Sequence, residues 1–237
     1  MPYEREVRKV IVIKSEKLRK ALKLLIPFVI IPVVVLVGTL AFDDKLYAYA
    51  SIAVCCLSLL LFIAGFEKKK TGTRRLIIVA VMVALSVTGR FIPFFKPITA
   101  LCVITALYLG GEAGFLVGAT AAVISNLYFG QGPWTPFQML AWGLIGLVAG
   151  LLAAPLKKSR ALLCVYGALA GIMYSFIMDV WTVVWYNNVF DLSLWLSALV
   201  TAIPHTVVYS VSNVLFLWLL AKPFGEKLER VKLKYSI

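Results

Sequence analysis

The chain is short of charge: only 15% of its 237 residues are Asp, Glu, Lys or Arg, where a soluble domain carries roughly 25%. With 62% hydrophobic residues and a mean hydropathy of +0.94, that shortage excludes a soluble globular protein. The stretches 24–42, 46–66 and 113–156 hold no charged residue at all, and no core of this size could bury them all. A G-x-x-x-x-G-K-[ST] phosphate loop is also missing, so any ATP-driven step has to come from a partner. The four cysteines, Cys55, Cys56, Cys102 and Cys164, fall in apolar runs without C-x-x-C spacing, and the single histidine is His205. A disulfide framework or zinc site is therefore not indicated, and no cofactor or metal is implied. No H-E-x-x-H or paired-carboxylate set occurs, which leaves intramembrane hydrolase chemistry without support.

What is present is a series of apolar runs separated by basic ones. Measured against the roughly 20 residues that cross a bilayer, the runs predict eight spans, near 24–42, 47–66, 76–91, 97–111, 113–129, 137–154, 161–186 and 195–220. Of the 24 Lys and Arg, 21 fall in residues 1–23, 67–75, 157–160 and 221–237. The remaining connections hold only Lys45, Arg90 and Lys96, so the positive-inside rule predicts both termini in the cytoplasm and an even number of spans. The net charge of +13 flanks spans and forms no continuous stripe, which argues for a membrane surface and against nucleic acid. The polar, basic first twenty or so residues, with no small-residue cleavage site after a short apolar core, predict no cleavable signal. The expected organisation is a basic cytoplasmic segment (1–23), a pair of transmembrane helices (24–66), a basic linker (67–75), a six-helix membrane domain (76–220) and a basic cytoplasmic tail (221–237). The first pair is aliphatic and carries Pro27 and Pro32, whereas the six-span part holds all six tryptophans with Asn126, Asp179, His205 and Asn213.

Small residues recur at spacing four: Ala80 and Ala84, Gly110, Gly114 and Gly118, Gly146 and Gly150, Gly167 and Gly171. Each pair puts small residues on one helix face, either for close packing within the bundle or for docking a separate protein. The GQGPWTP segment, residues 130–136, interrupts the helices and predicts a structured turn. Its Gln131, Trp134 and Thr135, with Gln138 beyond, outline a pocket wall. Under the alternating topology, Trp134, Trp142, Trp181, Trp185 and Trp195 all lie in the outer half, and only Trp218 lies near the inner face. Aromatic belts populate both interfaces, so the asymmetry favours an aromatic cup open to the outside. Asp179 is the one acidic residue deep in a span and is a functional candidate by its cost alone; the alternatives are a structural hydrogen bond to a neighbouring helix or pairing with Arg90 or Lys96. His205 follows Pro204 in the last span, where packing and ligand contact both remain open. Asn126 and Asn213 are expected to bond across helices. Glu112, in the GGEAG turn, suits a helix start. The candidate substrate-binding residues are Trp134, Gln138, Trp142, Asp179, Trp185 and His205.

The AVMVA run at Ala80 to Ala84, together with the long stretch from Phe95 to Gly150, resembles the substrate-binding membrane subunits, or S components, of energy-coupling factor (ECF) vitamin transporters. The resemblance covers residues 76–220. It implies an all-α polytopic fold with a six-helix bundle, here preceded by two extra transmembrane helices, in the plasma membrane of a bacterial cell. It also implies capture of a vitamin or related micronutrient from outside, and delivery through a transmembrane coupling subunit and two cytoplasmic ATPase subunits. Ala80 and Ala84 match the family's Ala-x-x-x-Ala motif and are expected to dock the coupling subunit. FGQGPWTP is most similar to cobalamin-type members and points to a corrinoid, with thiamine-type pyrimidines, riboflavin and queuosine-type bases still open. The competing functional classes are a polytopic membrane enzyme or lipid-modifying protein, and a membrane assembly factor.

Overall fold

The computed structural model describes residue 13 and residues 15–40, 47–65 and 72–235; the 43–45 connection, with its acidic pair and Lys45, and most of the basic 67–75 linker lie outside them. Every regular element among these residues is helical: α1 (Glu16–Leu25), α2 (Ile31–Leu40), α3 (Tyr47–Ala64), α4 (Gly72–Gly89), α5 (Ile98–Leu109), α6 (Gly111–Phe129), α7 (Trp134–Leu151), α8 (Ala153–Lys158), α9 (Arg160–Asn187), α10 (Leu192–Thr201) and α11 (Ile203–Tyr235). Six helical stretches are long and apolar enough to cross a membrane: Glu16–Thr39, Tyr47–Ala64, Gly111–Phe129, Trp134–Leu151, Arg160–Asn187 and Ile203–Lys234. The all-α polytopic architecture expected from the apolar runs is the one observed.

Helices α1 and α2 form one rod, joined by a π-helical turn at Ile26–Ile30. Pro27 and Pro32 lack the N–H that an α-helical ladder needs, and the backbone widens until the Ile31 N–H reaches the Ile26 carbonyl. The expected span at 97–111 is a helix of only 12 residues, α5, about 18 Å long at 1.5 Å per residue. Its shortness follows from its place. Every α5 residue except Tyr108 is buried, so the helix has protein on all sides and need not match the bilayer.

Small residues decide how close the helices come. A Cβ on Gly146 would lie 2.6 Å from the Gly114 carbonyl carbon, and one on Gly118 would lie 2.6 Å from the Trp142 backbone. Gly150 meets Gly111 in the same way, at 2.2 Å from its Cα. The backbones of α6 and α7 therefore touch, and the packing reading of those glycines holds. Gly171 of α9 does the same against Ser210 of α11, and Gly167 faces the Leu217 side chain at 2.7 Å.

The expected continuous span over 195–220 is corrected: the chain breaks at Ala202 into α10 and α11. Pro204 explains it, because proline has no N–H for a continuing ladder yet fits the first turn of a new helix. Asp191 caps α10 by accepting from the Leu194 N–H at 2.9 Å, and this bond, with that from Ser193, holds its carboxyl below the usual range. Helix α11 has 33 residues, about 50 Å, and carries the basic tail as an uninterrupted helical extension.

Residues 130–136 are also only partly a turn. Gly130 ends α6 at φ +102, a conformation open to glycine. However, α7 already begins at Trp134, with Pro133 as its cap and Pro136 in its first turn, where proline costs no hydrogen bond. Two arginines donate to backbone carbonyls: Arg75 to that of Leu109, the last residue of α5, and Arg160 to that of Trp218 within α11. Glu112 stands in the first turn of α6, as its sequence context predicts, and pairs with Lys23 of α1 at 2.6 Å.

Candidate functional site

One set of polar side chains of the six-helix part gathers at the end of the bundle opposite the start of α1 and the end of α11. Arg90, just past α4, is 8% exposed and donates through Nη1 to Ser125 Oγ and Asn126 Oδ1 of α6, both at 2.5 Å. Asn126 Nδ2 donates to Thr135 Oγ1 at 2.8 Å and Gln138 Oε1 at 2.9 Å on α7. Gln138 Nε2 donates in turn to the Tyr174 hydroxyl on α9, at 3.2 Å. Thr135 donates to Gln131 Oε1, and Gln131 anchors the turn by donating to the Val123 carbonyl at 2.7 Å. One network thus runs from α4 through α6 and α7 to α9, and every member named is buried or half-buried. A buried polar network of this kind fixes relative helix positions, because each broken bond strands its partner away from water.

An aromatic column lies against the network. The Arg90 guanidinium sits 5.3 Å from the Trp142 ring, Trp142 stacks on Tyr174 at 5.2 Å, and Tyr174 stacks on Tyr209 of α11 at 4.9 Å and 8°. His205 closes the column, 4.8 Å from Tyr209. A second aromatic group, Trp134, Trp181 and Trp185, forms a chain of rings at 5.9 and 6.5 Å. Unsatisfied polar atoms cluster nearby: Arg90 Nε, Trp142 Nε1, Trp181 Nε1 and Asp179 Oδ2 are buried without a partner. Buried groups of this kind are uncommon and call for an explanation such as a ligand or ordered water.

The segment between α4 and α5 is fixed from the other side. The Lys96 N–H donates to Ser212 Oγ of α11 at 2.9 Å, and the same hydroxyl returns a bond to the Lys96 carbonyl. Within that segment Phe94 has φ 59, which is uncommon for a non-glycine residue. Burial, with the neighbouring Arg90 charge, holds the Lys96 ammonium below its ordinary pKa.

Gln138 and Trp142 therefore stand in the network and column, and His205 stands at the column's end. Trp134 and Trp185 belong to the second aromatic group, where Trp185 is 40% exposed. Asp179 is buried on α9 and pairs with neither Arg90 nor Lys96, so the ion-pair alternative is corrected: among the described residues the ion pairs are Lys20–Glu16 and Lys23–Glu112. Trp195 lies apart, against Phe176 and Phe190, and Trp218 lies beneath Arg160. Asn126 and Asn213 do bond across helices, the latter to the Gly167 carbonyl at 3.2 Å. Sequence reasoning missed Tyr174 and Tyr209 as site residues. The usable signal was a tyrosine in the middle of an apolar span, since a buried hydroxyl needs a partner. Arg90 is legible in the sequence as a connection residue and a candidate partner of Asp179, but not as the start of the network.

Ala80 and Ala84 stand away from this end. Both are exposed on α4 and line an open apolar groove of about 650 Å³, walled by Cys55 and Leu59 of α3 and floored by Leu116, Thr120 and Ile124 of α6.

No curated protein and no solved structure matches the chain. Residues 70–230 match the family model described as the ECF-type riboflavin transporter, S component. That match begins just before α4, leaves α1 to α3 outside it, and covers every helix that contributes to the polar and aromatic end. Because it spans well over half of the 237 residues, the chain belongs to the family of ECF-type riboflavin transporter S components.

Proposed function

We propose that this S component binds a flavin, riboflavin or a close derivative, at the Arg90 end of the bundle and hands it to a transmembrane coupling subunit driven by two ATPase subunits. The observation that carries the reading is the Trp142, Tyr174 and Tyr209 column beside unspent hydrogen-bonding atoms. A flavin is a planar tricyclic ring whose pyrimidine edge alternates carbonyl acceptors with an N–H donor. Aromatic faces suit the ring, while the unpartnered indole N–H groups and the Asp179 oxygen suit such an edge. The family's description names riboflavin, and the flavin reading takes the place of the corrinoid that FGQGPWTP suggested. The positive-inside pattern supports termini in the cytoplasm and the site facing outward.

Ala80 and Ala84 are proposed to receive the coupling subunit, since they keep an open helix face small enough for a second backbone. Neither the ligand nor the partner asks for a cofactor.

Flavin fluorescence gives a direct test. Titration of riboflavin with the purified protein is expected to quench emission saturably. Trp142→Ala should cost about 2 kcal/mol or more of affinity, as loss of a buried aromatic anchor does. If alanine at Trp134, Trp142 and Asp179 in turn all left affinity unchanged, the ligand would bind elsewhere; if no flavin bound the folded parent protein, the substrate would be another.

A further inference from the structure

A separate cavity, of about 230 Å³, lies at the end of the bundle away from Arg90, where the end of α5, α8, the start of α9 and the extension of α11 meet. Five charged side chains line it: Lys157 of α8, Arg160 of α9, and Lys222, Glu226 and Glu229 of α11. Three cations and two carboxylates around one small space could pair, yet among the described residues the ion pairs are Lys20–Glu16 and Lys23–Glu112. Two of the cations turn to aromatic faces instead. Lys157 Nζ lies 4.1 Å from the Tyr108 centroid, and the Arg160 guanidinium lies 4.7 Å from that of Trp218. Neither carboxylate accepts a hydrogen bond from a described residue. The cavity is also preformed. A Cβ on Gly225 would lie 2.2 Å from the Tyr108 hydroxyl oxygen, and Leu228, one turn on, is buried, so the α11 extension packs on the bundle. Apolar lining comes from the buried Leu107, Leu156 and Leu163. Arg160 begins a helix of 28 residues, whose positive end adds to the cations. The cavity stands where the apolar run of α11 gives way to charge, beside Trp218, which is 51% exposed and of the residue type that sits at the level of lipid head groups.

We propose that this cavity holds the head group of an ethanolamine phospholipid, its phosphate taken by Lys157, Arg160 and Lys222 and its ammonium by Glu226 and Glu229. Such a head group carries both signs of charge a few ångströms apart, and so answers the cations and the carboxylates together. An anionic glycerol head group would satisfy the cations alone and set its charge beside two carboxylates. A choline head group brings a positive charge without an N–H to donate to them. Basic pockets at the cytoplasmic ends of spans suit lipid phosphates, and the positive-inside pattern supports this end as the one in the inner leaflet. The acyl chains then stay outside the cavity, on the side where Trp218 is exposed. The inference does not rest on the flavin reading, since no member of the polar network or the aromatic column lines this cavity.

The experiment is thermal unfolding of the full-length protein in detergent with added phospholipids of identical acyl chains and ethanolamine, choline or glycerol head groups, and with soluble glycerophosphoethanolamine. The ethanolamine lipid is expected to raise the midpoint at about a tenth of the concentration that either other lipid needs, as a ligand specific to the folded state does. Lys157→Gln is expected to weaken the response to every phospholipid severalfold. Glu229→Gln should remove most of the preference for ethanolamine over glycerol, whereas Lys227→Gln, an exposed neighbour outside the cavity, should leave it. The charged residues exchanged are all exposed, so the variants are expected to fold. An equal response to the three head groups overturns the site. A preference for the glycerol lipid shows that the cations alone are read, and also overturns it. Equal stabilisation by glycerophosphoethanolamine shows a soluble phosphodiester as the occupant and overturns the lipid. An ethanolamine preference unchanged in both the Lys157 and Glu229 variants puts the lipid elsewhere and overturns the assignment to this cavity.

Discussion

Two faces of this protein carry the same signature and end in opposite states. On α6 and α7, Gly111, Gly114 and Gly118 meet Gly146, Gly150 and the Trp142 backbone so closely that no Cβ could be added without a clash. On α4, Ala80 and Ala84 occur at the same spacing but face an open groove. In a bilayer there is little hydrophobic gain in bringing helices together, so association depends on close van der Waals contact and on hydrogen bonds. Small residues permit that contact; they do not say which helix will provide it. The glycines are closed within the chain, and the alanine pair stays open on its surface.

Substitutions separate the two faces, and the largest effect is expected on the closed one. Gly146→Leu would drive a side chain into the Gly114 backbone, which cannot move aside, and should cost about 3 kcal/mol; thermal unfolding in detergent should show a much lower midpoint, and an unchanged midpoint would break the contrast. Ala84→Trp has room in the groove and should leave stability within about 0.5 kcal/mol of the parent, with flavin binding retained and cellular uptake abolished. Normal uptake by that variant would remove the alanine face as the docking site. Ala80→Leu, a smaller intrusion, is expected to reduce uptake several-fold and to leave binding alone, which a transport assay with labelled substrate can resolve. The smallest effect belongs to the N-terminal pair. Removing residues 1–68 takes away α3, one wall of the groove, and Lys23, the partner of Glu112. Flavin affinity should nevertheless stay within about threefold, because neither α1, α2 nor α3 supplies a residue to the network or column. Loss of binding by a folded truncation would join the two regions into one functional unit.

As an S component the chain is the substrate-specific subunit of a transporter. That class was accessible before any coordinates, and so was the all-α polytopic fold. These follow from hydropathy and charge, since the bilayer admits only apolar spans with satisfied backbones and the membrane potential and translocation sort the basic loops. Local chemistry also fixed Glu112 at a helix start and Asn126 and Asn213 as interhelical partners. Three matters were decided only by the tertiary structure. Helix α5 could be short because its neighbours enclose it. Pro204 permits the break at Ala202, and the packing of α10 on α9 and of α11 on both α9 and α5 sets where the two pieces lie. Finally, Arg90, Asn126, Gln138 and Tyr174 became one network, and Trp142, Tyr174 and Tyr209 one column, only when five helices brought them to the same end. Sequence spacing reports which face of its own helix a residue occupies; which other face it meets depends on packing between segments distant in the chain, such as Lys96 and Ser212, 116 positions apart. That information resides in shape complementarity summed over the bundle, which no local pattern encodes.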